Sequence, residues 1–276
     1  MKRFIIPFLL CIAANSNAQV NYASSSEIKQ FLKSKTMVVK TDDPFSSLDS
    51  VLEVYMKKIW TITSYEFITS DEFETKMSST AYSFIFLSEG EIKEGGTTCT
   101  YDILNLILGG STDLNIMPDL GSVPLCYTEQ DESIYLYKVG GILQFMQTHV
   151  NYASEHPSIT PAIVNKDSGY DIKKMELWLV KDDLPSSHNT TDKIKLIYSY
   201  SVKIVTAEDI RKAVENKTEN VVYLHKIGPG TTAAGCKCWK FLVTAKDGEV
   251  LYYDSHKVDS SSPDAFLEKD FKSIGK

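Results

Sequence analysis

TSYEFITSDEF at residues 63–73 and YSVKIVTAEDI at residues 200–210 decide the fold. They align without a gap at an offset of 137 (200 minus 63), and each reads as a short strand entering a capped helix. Phe67 and Ile68 fall on Ile204 and Val205, Thr69 on Thr206, Phe73 on Ile210 and Met77 on Val214. Each threonine is a good N-cap, followed three residues on by Glu72 or Asp209. Such an acid reaches back to the free amides of the first turn. Phe73/Met77 and Ile210/Val214 then mark a buried stripe at i, i+4 spacing.

The match extends both ways. Phe84–Leu87 falls on Val221–Leu224, and Cys99 falls on Cys236, at the same offset. Upstream, VKTDD at 39–43 matches LVKDD at 179–183 at an offset of 140, and Ser46-Ser47 then falls on Ser186-Ser187. Long periods of this kind signal duplication. The runs Met37–Val39, Phe84–Leu87 and Val221–Leu224 are short and apolar, as in strands buried on both faces. Leu48, Val51, Leu52, Tyr55, Met56 and Ile59 recur at helical spacing behind Ser46 or Ser47 as cap.

The expected fold class is therefore α/β: a tandem duplication of a three-layer unit. Each half carries a mostly parallel sheet, joined by right-handed crossovers, plus an antiparallel hairpin. In the second half Lys240–Ala245 and Glu249–Asp254 flank the turn signal Lys246-Asp247-Gly248. In the first, Ile103–Leu108 and Val123–Tyr127 take those parts across the long connection Gly109–Gly121. A helix follows in each half, Ile134–Val150 and Asp264–Ile274, the latter starting at Ser262-Pro263. The domains expected are a leader over 1–18, a first repeat over 19–154, a linker over 155–168 with Pro157 and Pro161, and a second repeat over 169–276.

Lys2 and Arg3, the apolar run Phe4–Ala14 and Ser16-Asn17-Ala18 before Gln19 form a secretory signal, too short for a membrane span. The expected address is the periplasm or the cell exterior, and no later stretch is apolar enough to cross a bilayer. Cleavage leaves 276 minus 18, or 258 residues, with 27 basic and 36 acidic side chains and a net charge of −9. That balance, without a basic stripe, argues against nucleic acid as a partner. Four cysteines remain: Cys99, Cys126, Cys236 and Cys238. Disulfides are possible in an oxidising compartment. Cys236 and Cys238, two apart on one strand face, are expected not to pair with each other.

The candidate ligand or metal residues are the acid pairs Asp42-Asp43 and Asp182-Asp183, just past the first strand of each half. Ligands gather at the carboxyl ends of strands in open α/β sheets, and adjacent carboxylates suit a hard cation. They also suit the positive end of the next helix. His225, Cys236, Cys238 and His256 are ligand types for zinc but match no short ligand spacing. Gly228-Pro229-Gly230 through Gly235 leads into a strand, whereas a phosphate loop leads into a helix. Asp254-Ser255-His256 lacks a nucleophile elbow.

MVVKTDDPF at 37–45 resembles the opening of bacterial response-regulator receiver domains, which place an acidic pair after their first strand. The resemblance implies a fold analogy alone. The family's phospho-accepting aspartate, at the end of the third strand, corresponds to Ser88 and His225 here. The leader ending Asn17-Ala18 before Gln19 resembles those of secreted Bacteroidetes proteins, and carries no activity with it. The function expected is a non-enzymatic envelope protein binding a small molecule or a protein at a cleft between the halves. The alternatives are a metal-assisted hydrolase built on the Asp-Asp pairs, and a scaffold subunit of an envelope assembly. No cofactor and no oligomeric state follow from the residues.

Overall fold

The computed structural model describes residues 5–6, 21–94, 97–156, 164, 168–230 and 235–276. Most of the expected leader and most of the expected linker lie outside the described residues. Internal contacts divide the chain into two compact units, 1–132 with 146–161, and 133–145 with 162–276. Among the described residues no helix is long and apolar enough to cross a membrane.

In the first unit β1 (Ile5–Ile6) and α1 (Ser25–Phe31) precede a β–α–β–α–β run. That run is β2 (Lys35–Val39), α2 (Ser47–Ile59), β3 (Tyr65–Ile68), α3 (Ser70–Lys76) and β4 (Tyr82–Glu94). It continues into β5 (Thr97–Leu108) and β6 (Val123–Tyr127). The sheet order is β3-β2-β4-β5-β6, parallel through β3, β2 and β4 and antiparallel beyond, with β1 on β4. Thr69 and Glu72 close the expected capping box of α3. Phe73 then packs edge-on against Phe84 at 4.9 Å, within a core that includes Met37, Ile68 and Phe86. The helix α1 was not expected; Ser24 and Glu27 form its capping box.

The helices α4 (Ser133–Leu136) and α5 (Val139–Glu155) follow β6, and residues 133–145 group with the second unit. That unit contains β7 (Glu176–Val180), α6 (Thr191–Lys195), β8 (Val202–Val205), α7 (Ala207–Glu215) and β9 (Val221–Ile227). The hairpin β10 (Lys237–Thr244) and β11 (Val250–Lys257) and the helix α8 (Glu268–Ile274) complete it. Its sheet order is β11-β10-β9-β7-β8, parallel through β9, β7 and β8. Each unit is thus a five-stranded mixed sheet with helices, in the same strand order, which bears out the expected α/β class.

Three details differ from expectation. Between β7 and β8 the long helix gives way to 3-10 turns at Lys181–Asp183 and Ser186–His188 and the five-residue α6. Pro185 disfavours the helical region for the residue before it. The helix α8 starts at Glu268 rather than near Ser262-Pro263. The Pro263 carbonyl accepts from His256 Nε2 at 2.8 Å, and the Asp264 carboxylate is held by Lys226 and Gly230, so this segment is committed before the helix begins.

The third difference concerns register. Lys35 N–H donates to Ala81 O and Glu176 N–H to Asn220 O, while Thr36 N–H donates to Ser64 O and Leu177 N–H to Ser201 O. Equivalent positions are therefore offset by 141 in β2/β7 (176 minus 35), 137 in β3/β8 (201 minus 64) and 139 in β4/β9 (220 minus 81). The ungapped offset of 137 holds through β3 and the caps but not into β4. The cause is length: α7 has nine residues where α3 has seven. Counted along the strands, Asp183 therefore corresponds to Asp42 (183 minus 141), and Lys226 to Leu87 (226 minus 139).

Candidate functional site

The carboxyl ends of β2 and β4 open into a pocket of ≈ 170 Å³ in the first unit. Asp42, Asp43, Glu89, Asp102 and Glu132 supply five carboxylates to its lining, and Phe73, Phe86 and Leu87 supply an apolar floor. Ser46, Ser70 and Ser88 add hydroxyls. β2 ends at Val39 while β4 runs on to Glu94, so the loop after β2 and the overhang of β4 both border the pocket.

The acid loop is fixed by its own hydrogen bonds. The Ser70 hydroxyl donates to Asp42 Oδ1 at 2.9 Å. The Phe45 N–H donates to Asp43 Oδ1 at 2.9 Å, an Asx-type turn, and the Ser46 N–H donates to the Asp43 carbonyl at 3.1 Å. Below the loop, Asp49 accepts from the Thr41 N–H and hydroxyl. Burial pushes the Asp49 carboxyl up from the usual range, against those Thr41 bonds and the nearby Lys40 charge. Lys40, on the lining, donates at 2.7 Å to Glu53, which is not among the lining residues. Phe45, between Asp43 and Ser46, is 90% exposed.

The second unit disposes of its acids differently. Lys226 Nζ lies 2.8 Å from Asp264 Oδ1 and 3.7 Å from Asp183 Oδ1. The Gly230 N–H donates to Asp264 Oδ2 at 2.8 Å. A Cβ on Gly228 would fall 1.6 Å from Asp264 Oδ1, so only glycine lets that carboxylate approach the loop. Burial works strongly against the Lys226 charge, yet Asp183 and Asp264 hold its ammonium above the ordinary lysine value. Beside it, burial first and Asp264 next push the Cys238 thiol far up, which leaves it a poor nucleophile. Asp182, its neighbour in the pair, is exposed.

The two acid pairs thus sit at equivalent strand ends in opposite states. In the second unit the ammonium of Lys226 satisfies Asp183. In the first, Leu87 takes the lysine's place, and Asp42 faces an open pocket. Asp102 and Glu132 lie far from Asp42 in sequence and carry no motif, so no sequence signal joins them to the pocket. The exposed Phe45 likewise reads as ordinary loop sequence.

The remaining candidates have structural duties. Among the described residues no group of three His, Cys, Asp or Glu side chains is placed to hold a metal ion. Cys99 and Cys236 are disulfide-bonded, whereas Cys126 and Cys238 are buried thiols, so Cys236 and Cys238 do not pair with each other. Asp254 is held by Lys240 and Lys269, both at 3.0 Å, and His256 Nε2 pairs with the Pro263 carbonyl, so these two residues do not form a hydrolase relay. Residues 231–234 of the glycine-rich loop lie outside the described residues, and the loop leads into β10 as expected. Comparison with family models, with curated proteins and with solved structures finds no match to the chain.

Proposed function

We propose that this is an exported, non-enzymatic binding protein whose first unit receives a protonated amine in the pocket walled by Asp42, Asp43 and Glu132. The observation that carries the reading is internal. The second unit seats the ammonium of Lys226 between Asp183 and Asp264, and the first unit presents the equivalent acid, Asp42, to a pocket floored by Leu87. An alkylammonium group entering there lays its chain on Leu87, Phe73 and Phe86 and its charge against the carboxylates. Charge-assisted hydrogen bonds of this kind are about twice as strong as neutral ones.

The two units are read here as diverged copies, one keeping its cation within the chain and the other taking it from outside. The leader over residues 1–18 and the half-cystines Cys99 and Cys236 support export. The net charge of −9 expected after cleavage draws cationic ligands toward the surface.

The test compares Nα-acetyl-lysine amide with its uncharged analogue Nα-acetyl-norleucine amide by NMR titration. Saturable shifts at Asp42, Asp43 and Leu87 with the lysine compound alone are the expected result. Equal shifts with both compounds, or none with either, would overturn the proposal.

A further inference from the structure

The strand β4 outruns its neighbour. It pairs with β2 only over Tyr82–Ile85, and with β5 on its other side from Ser83 to Glu94. The side of β4 that faces β2 is therefore left as a sheet edge from Phe86 onward, and four residues of that edge, Phe86, Leu87, Ser88 and Glu89, line the acidic pocket. One short strand sits on this edge: β1, parallel to β4, with Ile5 opposite Glu89 and Ile6 opposite Gly90. Because β5 fills the other side at these positions, β1 occupies the line that β2 has vacated.

A sheet edge offers unpaired backbone donors and acceptors to any extended segment. In a parallel neighbour, the residue two places before the one opposite Glu89 lies level with Leu87. Side chains level with each other on adjacent strands share a face, and Leu87 is part of the pocket lining. A basic side chain at that place therefore enters among the carboxylates of Asp42, Asp43 and Glu132. The leader has this pattern in its sequence, with Arg3 two places before Ile5.

We infer that the ligand of the first unit is an extended basic peptide, which adds to the edge of β4 as a parallel strand and places a lysine or arginine in the acidic pocket. The inference rests on the amine-binding reading and adds the backbone half of the recognition. Main-chain pairing supplies affinity without regard to sequence, and the pocket selects the charge. The exposed Phe45 stands beside the acid pair as an apolar contact for the same chain.

The test uses protein recovered after export with its own leader, its N-terminus read by mass spectrometry at Gln19. Fluorescence anisotropy then measures three labelled pentapeptides: KRFII, the charge-reversed EEFII, and KRFII N-methylated at both isoleucines. The expected result is that KRFII binds about tenfold or more tighter than either of the others, and that Leu87→Lys removes the difference. If the N-methylated peptide binds as well as its parent while EEFII does not, strand addition is overturned and the amine pocket stands. If EEFII binds as well as KRFII, both fail.

Discussion

Lys226 Nζ lies 2.8 Å from Asp264 Oδ1, and the other oxygen of that carboxylate accepts the Gly230 N–H at the same distance. The pair ties β9 to the segment ahead of α8, and both side chains are nearly buried, 12% and 11% exposed. Removing one partner of such a pair leaves a buried charge unmatched, at a cost of about 3–5 kcal/mol. Lys226→Met is therefore expected to lower urea-unfolding stability by that order. Gly228→Ala should act in the same direction by driving its Cβ into Asp264. A loss under about 1 kcal/mol in Lys226→Met would show that water reaches the pair freely.

The equivalence of Lys226 and Leu87 predicts the converse in the first unit. Leu87→Lys places an ammonium where the pocket takes one from a ligand. Binding of basic ligands should fall about tenfold or more, while urea unfolding shows stability held or raised because the new charge meets Asp42 and its neighbours. A folded variant that still binds the lysine compound with wild-type affinity would place the ligand elsewhere.

How much of this was legible in the residues depends on the range of the contact. Thr69/Glu72 and Thr206/Asp209 are local, and both capping boxes form as read. The hairpin around Lys246-Asp247-Gly248 is also local, and it forms with Gly248 at a φ of 76°. The ungapped alignment sets β4 two residues out of register, because side chains in a strand buried on both faces carry no phase to betray the slip. That slip concealed the pairing of Leu87 with Lys226. Asp42 and Asp43 were visible as candidates, since a strand end followed by acids is a local pattern. Their companions Asp102 and Glu132 come from the hairpin and from the chain beyond it, where only the fold brings them near. The lysine that answers Asp183 was invisible for the same reason.

A different ion pair anchors the last helix of the second unit. Lys240 donates to Asp270 at 2.6 Å, both side chains fully buried, and Asp270 also accepts from the Tyr252 hydroxyl and the Leu267 N–H. Asp270 thus fastens the start of α8 to β10 and β11. Asp270→Ala removes this acceptor from the Tyr252 hydroxyl and the Leu267 N–H and leaves Lys240 with Asp254 alone, and should cost about 3–5 kcal/mol in urea unfolding. Hydrogen exchange should find the α8 amides opening first.

Asp254 adds a pH dependence to this network. Burial opposes its charge, yet hydrogen bonds from Lys269 and Lys240 bring its pKa down to about 2. A carboxylate with a depressed folded pKa contributes stability above its unfolded value, about 3.9, and loses it as the pH falls toward 2. Asp254→Asn should flatten the stability profile between about pH 4 and pH 2 and leave the slope at neutral pH unchanged. An unaltered acid slope in that variant would assign the loss to other carboxylates.

His149, in the first unit, acts in a higher window. Burial alone lowers its pKa to about 4, well under the unfolded value of about 6.5. Between those values the unfolded chain binds the proton and the folded one does not, so stability must rise with pH across that interval. The neutral imidazole is the form the fold accepts, so acidification through pH 6 begins to favour unfolding. His149→Gln removes the titrating group while keeping a polar side chain of similar length. Urea midpoints measured from pH 4 to pH 7 should climb less steeply in this variant than in the wild type, with the two converging in slope above pH 7. If both climb alike, His149 is not the group that the folded first unit holds neutral, and the rise belongs to another histidine.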